Sequence, residues 1–474
     1  MKAATTAGLA ARCAGVHWDD LPRDVRERAK DLVLDLIGVA IRGSRQPSSI
    51  AARDTARRLG GEGRSSVIGN DLCLPASWAA LANGTAGHAL ELDDVTSESS
   101  LHPGVAVIPA ALALAEERGT DGRAFLEAVV AGYEATMRIG NALGAASAYQ
   151  RGFHPTGVAG AFGATAAAAR LMELDAPATT RAFGVAGTMA SGSLEYLSDG
   201  TWTKRLNPGW AGHVGIVAAQ LAADGFRGPA TAIEGRLGTL RAYSDSARPE
   251  LLAAPADDDW ALMQVSIKPY ACCRYNHGLI DGVLKLAAEH RIVPQDVARI
   301  RLGVLSAGAV LVSEPIDAKR VPRNVVDAQF SAPFAAAVAL THRAAGIAEY
   351  IQENVDDDEI RGLMARTDCV RDDSLDAVYP THWPSWVEIE LRHGRTVRTR
   401  VDDASGEPAN PITREALLRK FGELAGDVIG RHEELAARVI ALETETDMSG
   451  IGTLVRDTAS SSFDRQDRPR VRSV

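Results

Sequence analysis

Rings are scarce in this sequence: aromatic residues make up 5% of it, while alanine is abundant and 44 positions are glycine. A core short of aromatics and rich in small side chains points to closely packed helices, a bias toward an all-α architecture. The 5 cysteines, Cys13, Cys73, Cys272, Cys273 and Cys369, are too few and too scattered for a disulfide framework. None forms a CxxC pair, and no three have the spacing of an iron–sulfur ligand set. Positive charge is also lacking, with 51 basic against 61 acidic residues and a net charge of −10, so nucleic acid is excluded as a general partner. The one basic cluster, Arg465 to Arg472, is interrupted by proline and reads as a solvated tail. The longest apolar run, Val105 to Ala115, falls short of the ~20 residues that span a bilayer, so no membrane association is expected. Lys2 followed by an Ala/Thr/Gly stretch broken at Arg12 makes a poor signal peptide, and a soluble cytoplasmic protein is expected. GxSxG, P-loop and HExxH motifs are missing, which removes the serine-hydrolase, nucleotide and zincin templates.

What is present is organised in three stretches. At 474 residues the chain exceeds the ~250–300 over which one core keeps growing, so two domains are the default. Asp20-Leu21-Pro22 opens a helix in which Val25, Ala29, Leu32, Leu36 and Val39 form one apolar face. Similar Ala-rich helices follow at Trp78 to Leu92, Val105 to Arg118, Arg123 to Leu143, Val158 to Leu171 and Ala211 to Ala223. After about Lys268 period-two alternation sets in, at Ala298 to Ser306 and Trp386 to Leu391, and His393-Gly394 turns into Thr396 to Val401 as a hairpin. Helical stretches such as Phe334 to His342 lie between these strands, and helices resume from Pro411. The expected fold is mainly α: a large helical domain (1–265 and 403–458) interrupted by a smaller α+β lid (266–402), with a flexible tail at 459–474.

One local design recurs: an imidazole or basic side chain just before a proline near the start of a small-residue helix. It occurs at His102-Pro103-Gly104, at His154-Pro155-Thr156-Gly157, more loosely at Lys204 to Gly209, and at Lys268-Pro269. Helix starts expose unpaired N–H groups and favour anions, and imidazoles beside them can move protons near neutral pH. A substrate carrying two or three carboxylates suits this set. Taken singly, a histidine before proline is ordinarily a helix-start residue and a lysine ordinarily lies on the surface; the case rests on the four together. Upstream, His88, Glu91 and Asp94 fall three residues apart and can share a helix face, as an acid/base cluster or as a solvated acidic helix end. No ligand-spaced His/Cys set accompanies them, and no metal is expected. Gly157, Gly160 and Gly163 form a GxxGxxG run with no strand before it, which reads as close helix packing. Cys272-Cys273 reads as a buried pair rather than a thiol nucleophile.

These motifs resemble, in order, the signatures of the MmgE/PrpD family. His88-Ala-Leu-Glu-Leu-Asp-Asp-Val followed by Leu101-His-Pro-Gly-Val-Ala-Val-Ile-Pro resembles the first, and Gly152-Phe-His-Pro-Thr-Gly-Val-Ala-Gly the second. Asp199-Gly-Thr-Trp-Thr-Lys-Arg-Leu-Asn-Pro-Gly-Trp, Ser266-Ile-Lys-Pro-Tyr-Ala-Cys-Cys-Arg-Tyr-Asn-His and Asp327-Ala-Gln-Phe-Ser-Ala-Pro-Phe are similar to three more. That family includes 2-methylcitrate dehydratases, cis-aconitate decarboxylases and iminodisuccinate epimerases. The resemblance implies a large helical domain with an α+β lid, a homodimer, a site between the domains and no metal or organic cofactor. It makes His102 and His154 the acid/base candidates, with Glu91 and Asp94 as further catalytic candidates. Lys204 and Lys268, together with His277, become candidate substrate-binding residues. Glu91 stands where relatives have Asp, Val95 where decarboxylases have Thr, Phe334 where they have Tyr, and Gly104-Val105 where Ser and further polar residues follow His-Pro.

The reaction expected is proton removal next to a substrate carboxylate, with the developing charge held by lysines and helix N-termini. Loss of hydroxide then gives dehydration, the first choice, as a dehydratase-like lyase. Return of the proton to the opposite face gives epimerisation, and loss of CO₂ gives decarboxylation. The alternative of a different class is a non-catalytic polycarboxylate-binding protein.

Overall fold

The computed structural model describes residues 5–256 and 258–458, so the expected tail at 459–474 and its arginine cluster lie outside the described residues. The structure is mainly α, as expected. Its centre is the helix Gly104–Arg118, buried on every side from Gly104 to Glu116. A stripe-free, Ala-rich helix of this kind has no polar face to show to water. Around it pack Ala76–Gly87, Gly122–Leu143, Pro155–Leu171 and Thr203–Ala223. The outer helix Arg23–Gly43 begins after Pro22, close to the position expected from its apolar spacing.

Close approach is where the glycines matter. A Cβ on Gly163 would stand 1.7 Å from Thr136 Oγ1 and 2.8 Å from the Gly132 carbonyl, and one on Gly160 would stand 2.9 Å from Ala106 Cβ. The GxxGxxG run is thus a packing surface between helices. Gly163→Ala is expected to lower the denaturant midpoint, costing about 1–3 kcal/mol, because a backbone carbonyl cannot move aside as a side chain can. An unchanged midpoint on a urea titration would show that the helices have slack there.

Two large apolar clusters divide the chain. One runs from Leu9 to Ile267 and takes in Leu417 to Val455; the other runs from Ala271 to Val397 and borrows Val39, Leu90, Leu92 and Leu424. The second is built on a four-stranded sheet in the order Thr367–Arg371, Val297–Val304, Ser385–Leu391, Thr396–Val401. The first pair is parallel and the others antiparallel, and Gly394 at φ 90° makes the hairpin turn. Helices His277–His290 and Ala332–His342 pack together beside this sheet.

Three local expectations differ from what is observed. The helix expected to reach Leu92 stops at Gly87, and residues 88–94 form an irregular segment. Leu90 and Leu92 are drawn into the second apolar cluster, which no continuous helix from 76 would allow. The third helix starts at Thr203, so Pro208 lies inside it rather than at its start. No helix begins at Pro269: Val265–Ser266 pairs antiparallel with Val95–Thr96 instead. That short ladder brings Lys268 to the 88–94 segment, at the seam between the clusters.

Candidate active site

The segment after Gly87 carries His88, Glu91, Asp93 and Asp94, and tertiary contacts set its shape. Three successive backbone carbonyls are each claimed by a different part of the chain. Gln329 Nε2 donates to Leu90 O at 3.0 Å, Lys268 Nζ to Glu91 O at 3.0 Å, and Lys420 Nζ to Leu92 O at 3.2 Å. Glu91 is held in the left-handed region at φ 55°, a conformation that costs a non-glycine residue free energy and persists only when its surroundings enforce it. Its side chain turns to the lysines. Lys204 Nζ bonds Glu91 Oε1, and Lys268 Nζ lies 4.0 Å from Oε2. Burial pushes the Glu91 carboxyl up, but the two ammonium groups outweigh burial and hold it below the usual carboxylate range.

Asp93 and Asp94 are neighbours with different tasks. Asp93 Oδ2 lies 2.7 Å from His88 Nδ1 and 3.2 Å from His102 Nδ1, with all three residues buried. Burial works against its charge; the two imidazoles prevail and keep it well below its ordinary value. Asp94 instead accepts from Tyr133 Oη at 2.6 Å and from Gly104 N at 3.1 Å, so it ties down the start of the central helix. Burial, with Asp93 and Asp35 nearby, raises Asp94 to about 7. A Cβ at position 104 would meet Tyr133 Oη at 2.3 Å, so glycine is what lets the tyrosine approach Asp94. Asp94 therefore engages the first N–H of this helix.

His102 Nδ1 also lies 2.7 Å from the Asp94 carbonyl oxygen. Both of its neighbours accept only, so Nδ1 carries the proton and Nε2 the lone pair. Burial, the largest influence, lowers His102 to about 4 even though Asp93 pulls the other way, so the ring is neutral at pH 7. His88, Asp93 and His102 stand close enough to hold a metal ion. The arrangement fits one poorly, because His102 Nδ1 faces the Asp94 carbonyl at 2.7 Å, an acceptor outside the set that requires a proton there. His154 lies 5.7 Å from His88, ring to ring, and burial, followed by the neighbouring His88 and Lys204, holds it well below its ordinary value.

These side chains meet at one place. An inner chamber of about 70 Å³ is lined by Glu91, His102, His154, Lys204 and Lys268, and by Tyr149 and Tyr196 among others. It shares Glu91, Tyr196, Lys204 and Phe330 with an outer cavity of about 590 Å³. The inner chamber is much the smaller of the two, so a ligand reaching His102 and Lys268 can extend into the outer one. The lysines are not surface residues: Lys268 is 1% exposed. Nor is the acidic segment a solvated helix end, for His88, Glu91, Asp93 and Asp94 are all buried.

Of the seven candidates, five line the chamber and two do not. Asp94 serves the helix start, and His277 is buried against Tyr270, with Nε2 3.4 Å from the Cys272 carbonyl. Phe334 is likewise buried away from the chamber, packed on Tyr350, whereas Val95 does line it. Cys272 and Cys273 are buried, and burial pushes the Cys272 thiol up to about 12, as suits inert thiols. Sequence reasoning passed over Asp93, Asn207 and Gln329. Asp93 was hidden by the expectation of a helix, which put Asp94 rather than Asp93 on the face of His88 and Glu91.

Comparison with known proteins places the chain in a family. Residues 7–252 match the MmgE/PrpD N-terminal domain and residues 270–446 the MmgE/PrpD C-terminal domain. The chain is 30% identical over 460 residues to the cis-aconitate decarboxylase-like protein oryM of Aspergillus oryzae, covering 92% of this chain and 94% of that protein. It is 28% identical to the cis-aconitate decarboxylase of Aspergillus terreus over 94% of this chain and 95% of the other. To the human cis-aconitate decarboxylase it is 26% identical, over 95% and 94%. With both domain models matched in order over nearly its whole length, the chain belongs to the MmgE/PrpD family.

Proposed function

We propose that this protein is a lyase acting on a small polycarboxylic acid by proton transfer next to a carboxylate, without a metal or organic cofactor. The observation that carries the proposal is the neutral His102, its Nδ1–H held by Asp93 and the Asp94 carbonyl, in one chamber with two ammonium groups. A substrate carboxylate enters beside Lys204 and Lys268 and competes with Glu91 for them. The rest of the molecule lies in the outer cavity, where Arg205 and Lys319 bond to Ser48 and to the Leu311 carbonyl rather than to carboxylates. His102 Nε2 takes the C–H proton, and the electrons move toward the carboxylate, where the lysines stabilise the charge. The imidazolium, stabilised by Asp93, gives its proton to the departing hydroxide, which leaves as water. Dehydration is the outcome that a resting neutral base supports.

Decarboxylation is the second reading, favoured by the names of the relatives. There the C–C bond breaks, CO₂ leaves, and His102 enters protonated and delivers its proton to carbon. Val95 on the chamber wall, where decarboxylases carry a hydroxyl, weighs toward the first reading. Incubation with 2-methylcitrate and with cis-aconitate separates the two: dehydration makes an alkene from the first without gas, and decarboxylation releases CO₂ from the second. Neither product from either compound would refute both readings for these two substrates.

The pH profile follows from His102. The base must be bare to work, so kcat/KM is present above its pKa and lost as pH falls through about 4. An acid limb near the ordinary histidine value of ~6.5 would contradict this use of the ring. A cytoplasmic homodimer belongs to the same proposal. Trp202, at the cap of the Thr203–Ala223 helix, and Leu206 and Trp210 within it, spaced four apart, remain 49%, 41% and 39% exposed, a surface of the kind a second copy covers. Sedimentation velocity tests it, and a single monomeric boundary at micromolar concentration would refute it.

A further inference from the structure

The two histidines of the chamber face opposite kinds of partner. His102 Nδ1 meets only acceptors, whereas His154 Nδ1 lies 3.1 Å from Asn207 Nδ2. The same Nδ2 lies 3.5 Å from the Ser193 carbonyl oxygen, which can only accept, so the NH₂ end of the amide is the end that faces the ring. The geometry is enforced from several sides. His154 N donates to the Gly192 carbonyl at 3.0 Å, and a Cβ on Gly192 or Gly157 would crowd His154 or Asn207 at 3.3 Å. An N–H directed at Nδ1 requires a lone pair there. The ring proton must then sit on Nε2, and a second proton on Nδ1 would set two donors against each other.

Resting on the proposed proton-transfer reaction, we propose that Asn207 is a positioning residue that locks His154 as a neutral Nε2–H donor. His154 then stabilises developing charge on the substrate, and His102 alone carries the proton. Both histidines entered as acid/base candidates; this arrangement divides their labour. A neutral imidazole is a very weak acid, so His154 Nε2–H does not leave: it hydrogen-bonds to the carboxylate oxygen on which negative charge grows, as an oxyanion-hole donor does. His102 Nε2 takes the carbon-bound proton and passes it to the departing hydroxide, so the proton count closes on one residue. Burial and the neighbouring Lys204 oppose an imidazolium at 154, in keeping with this role.

The test is the position of the proton on His154, read by ¹⁵N–¹H long-range correlation on ¹⁵N-histidine-labelled full-length protein. The signal is assigned by its loss in His154→Gln. The expected wild-type spectrum shows Nδ1 bare and Nε2 protonated at pH 7. In Asn207→Asp, which replaces the donor by an acceptor of the same shape, Nδ1 gains the proton. In that variant kcat falls by about 10²–10³-fold at high pH, the loss typical of one missing oxyanion donor, with little change in KM. It partly recovers at low pH, where the imidazolium again offers Nε2–H; the wild type lacks this limb. A merely structural Asn207 would lower stability without moving the proton. Nδ1 protonated in the wild type, or still bare in Asn207→Asp, would overturn the assignment. The spectra need no substrate, so they decide this point even if the proposed reaction fails, and the wild-type spectrum decides it even if the variant does not fold.

Discussion

His102→Gln is expected to lower kcat by about 10²–10⁴-fold, the usual contribution of a positioned general base, with the thermal midpoint little changed. Glutamine offers an N–H to the Asp94 carbonyl and to Asp93, which His102 Nδ1 now meets at 2.7 Å and 3.2 Å. What it lacks is a basic nitrogen toward the chamber. The effect should fall on kcat more than on KM, because the ring acts on the reacting proton and the lysines on the carboxylate. Asp93→Asn should share part of the loss, since its carboxylate both orients the ring and stabilises the imidazolium. Full activity in His102→Gln would remove the residue on which the proposed reaction rests.

Lys268→Met is the second large effect, and it separates binding from folding. Lys268 is 1% exposed and donates to the Glu91 carbonyl at 3.0 Å, so its loss leaves a buried carbonyl and part of a buried carboxylate unpaired. A stability cost of about 1–3 kcal/mol follows, together with a fall of about 10²–10³-fold in kcat/KM. The double variant Lys268→Met/Glu91→Gln distinguishes the two losses. Glu91→Gln removes the stranded carboxylate, but Lys204 then loses its partner and the Glu91 carbonyl stays unpaired, so stability should recover only in part. Activity should stay low, because the anion site is gone. Recovery of activity along with stability would mean that Lys268 serves only to hold Glu91.

Much of this site was legible in the sequence, and the part that was not has a physical cause. Histidine or lysine beside a small-residue helix singled out His102, His154, Lys204 and Lys268, which line one chamber, although spacing alone could not bring residues so far apart in the chain together. Strands and hairpin were readable because alternation with β-branched residues is a local signal, and Val297–Val304, Ser385–Leu391 and Thr396–Val401 formed as expected. The 88–94 segment was misread as helix. Its left-handed Glu91 is imposed by Gln329, Lys268 and Lys420, none of them local, so no pattern near residue 91 announces it. Pro208 misled for the opposite reason, since it sits inside a helix that packing sustains despite a missing N–H. Asn207, beside that proline, is an ordinary polar residue in the sequence and acquires meaning only next to His154.

The central claim is proton transfer next to a carboxylate, and proton NMR in D₂O tests it most directly. Purified protein would be incubated in turn with 2-methylcitrate, citrate, cis-aconitate and iminodisuccinate. The account predicts loss of a C–H signal beside a carboxylate in at least one of them, with an olefinic signal appearing if water is lost, and no such loss with His102→Gln. Unchanged spectra for all four, from protein that binds them, would contradict it and leave a polycarboxylate-binding protein in its place.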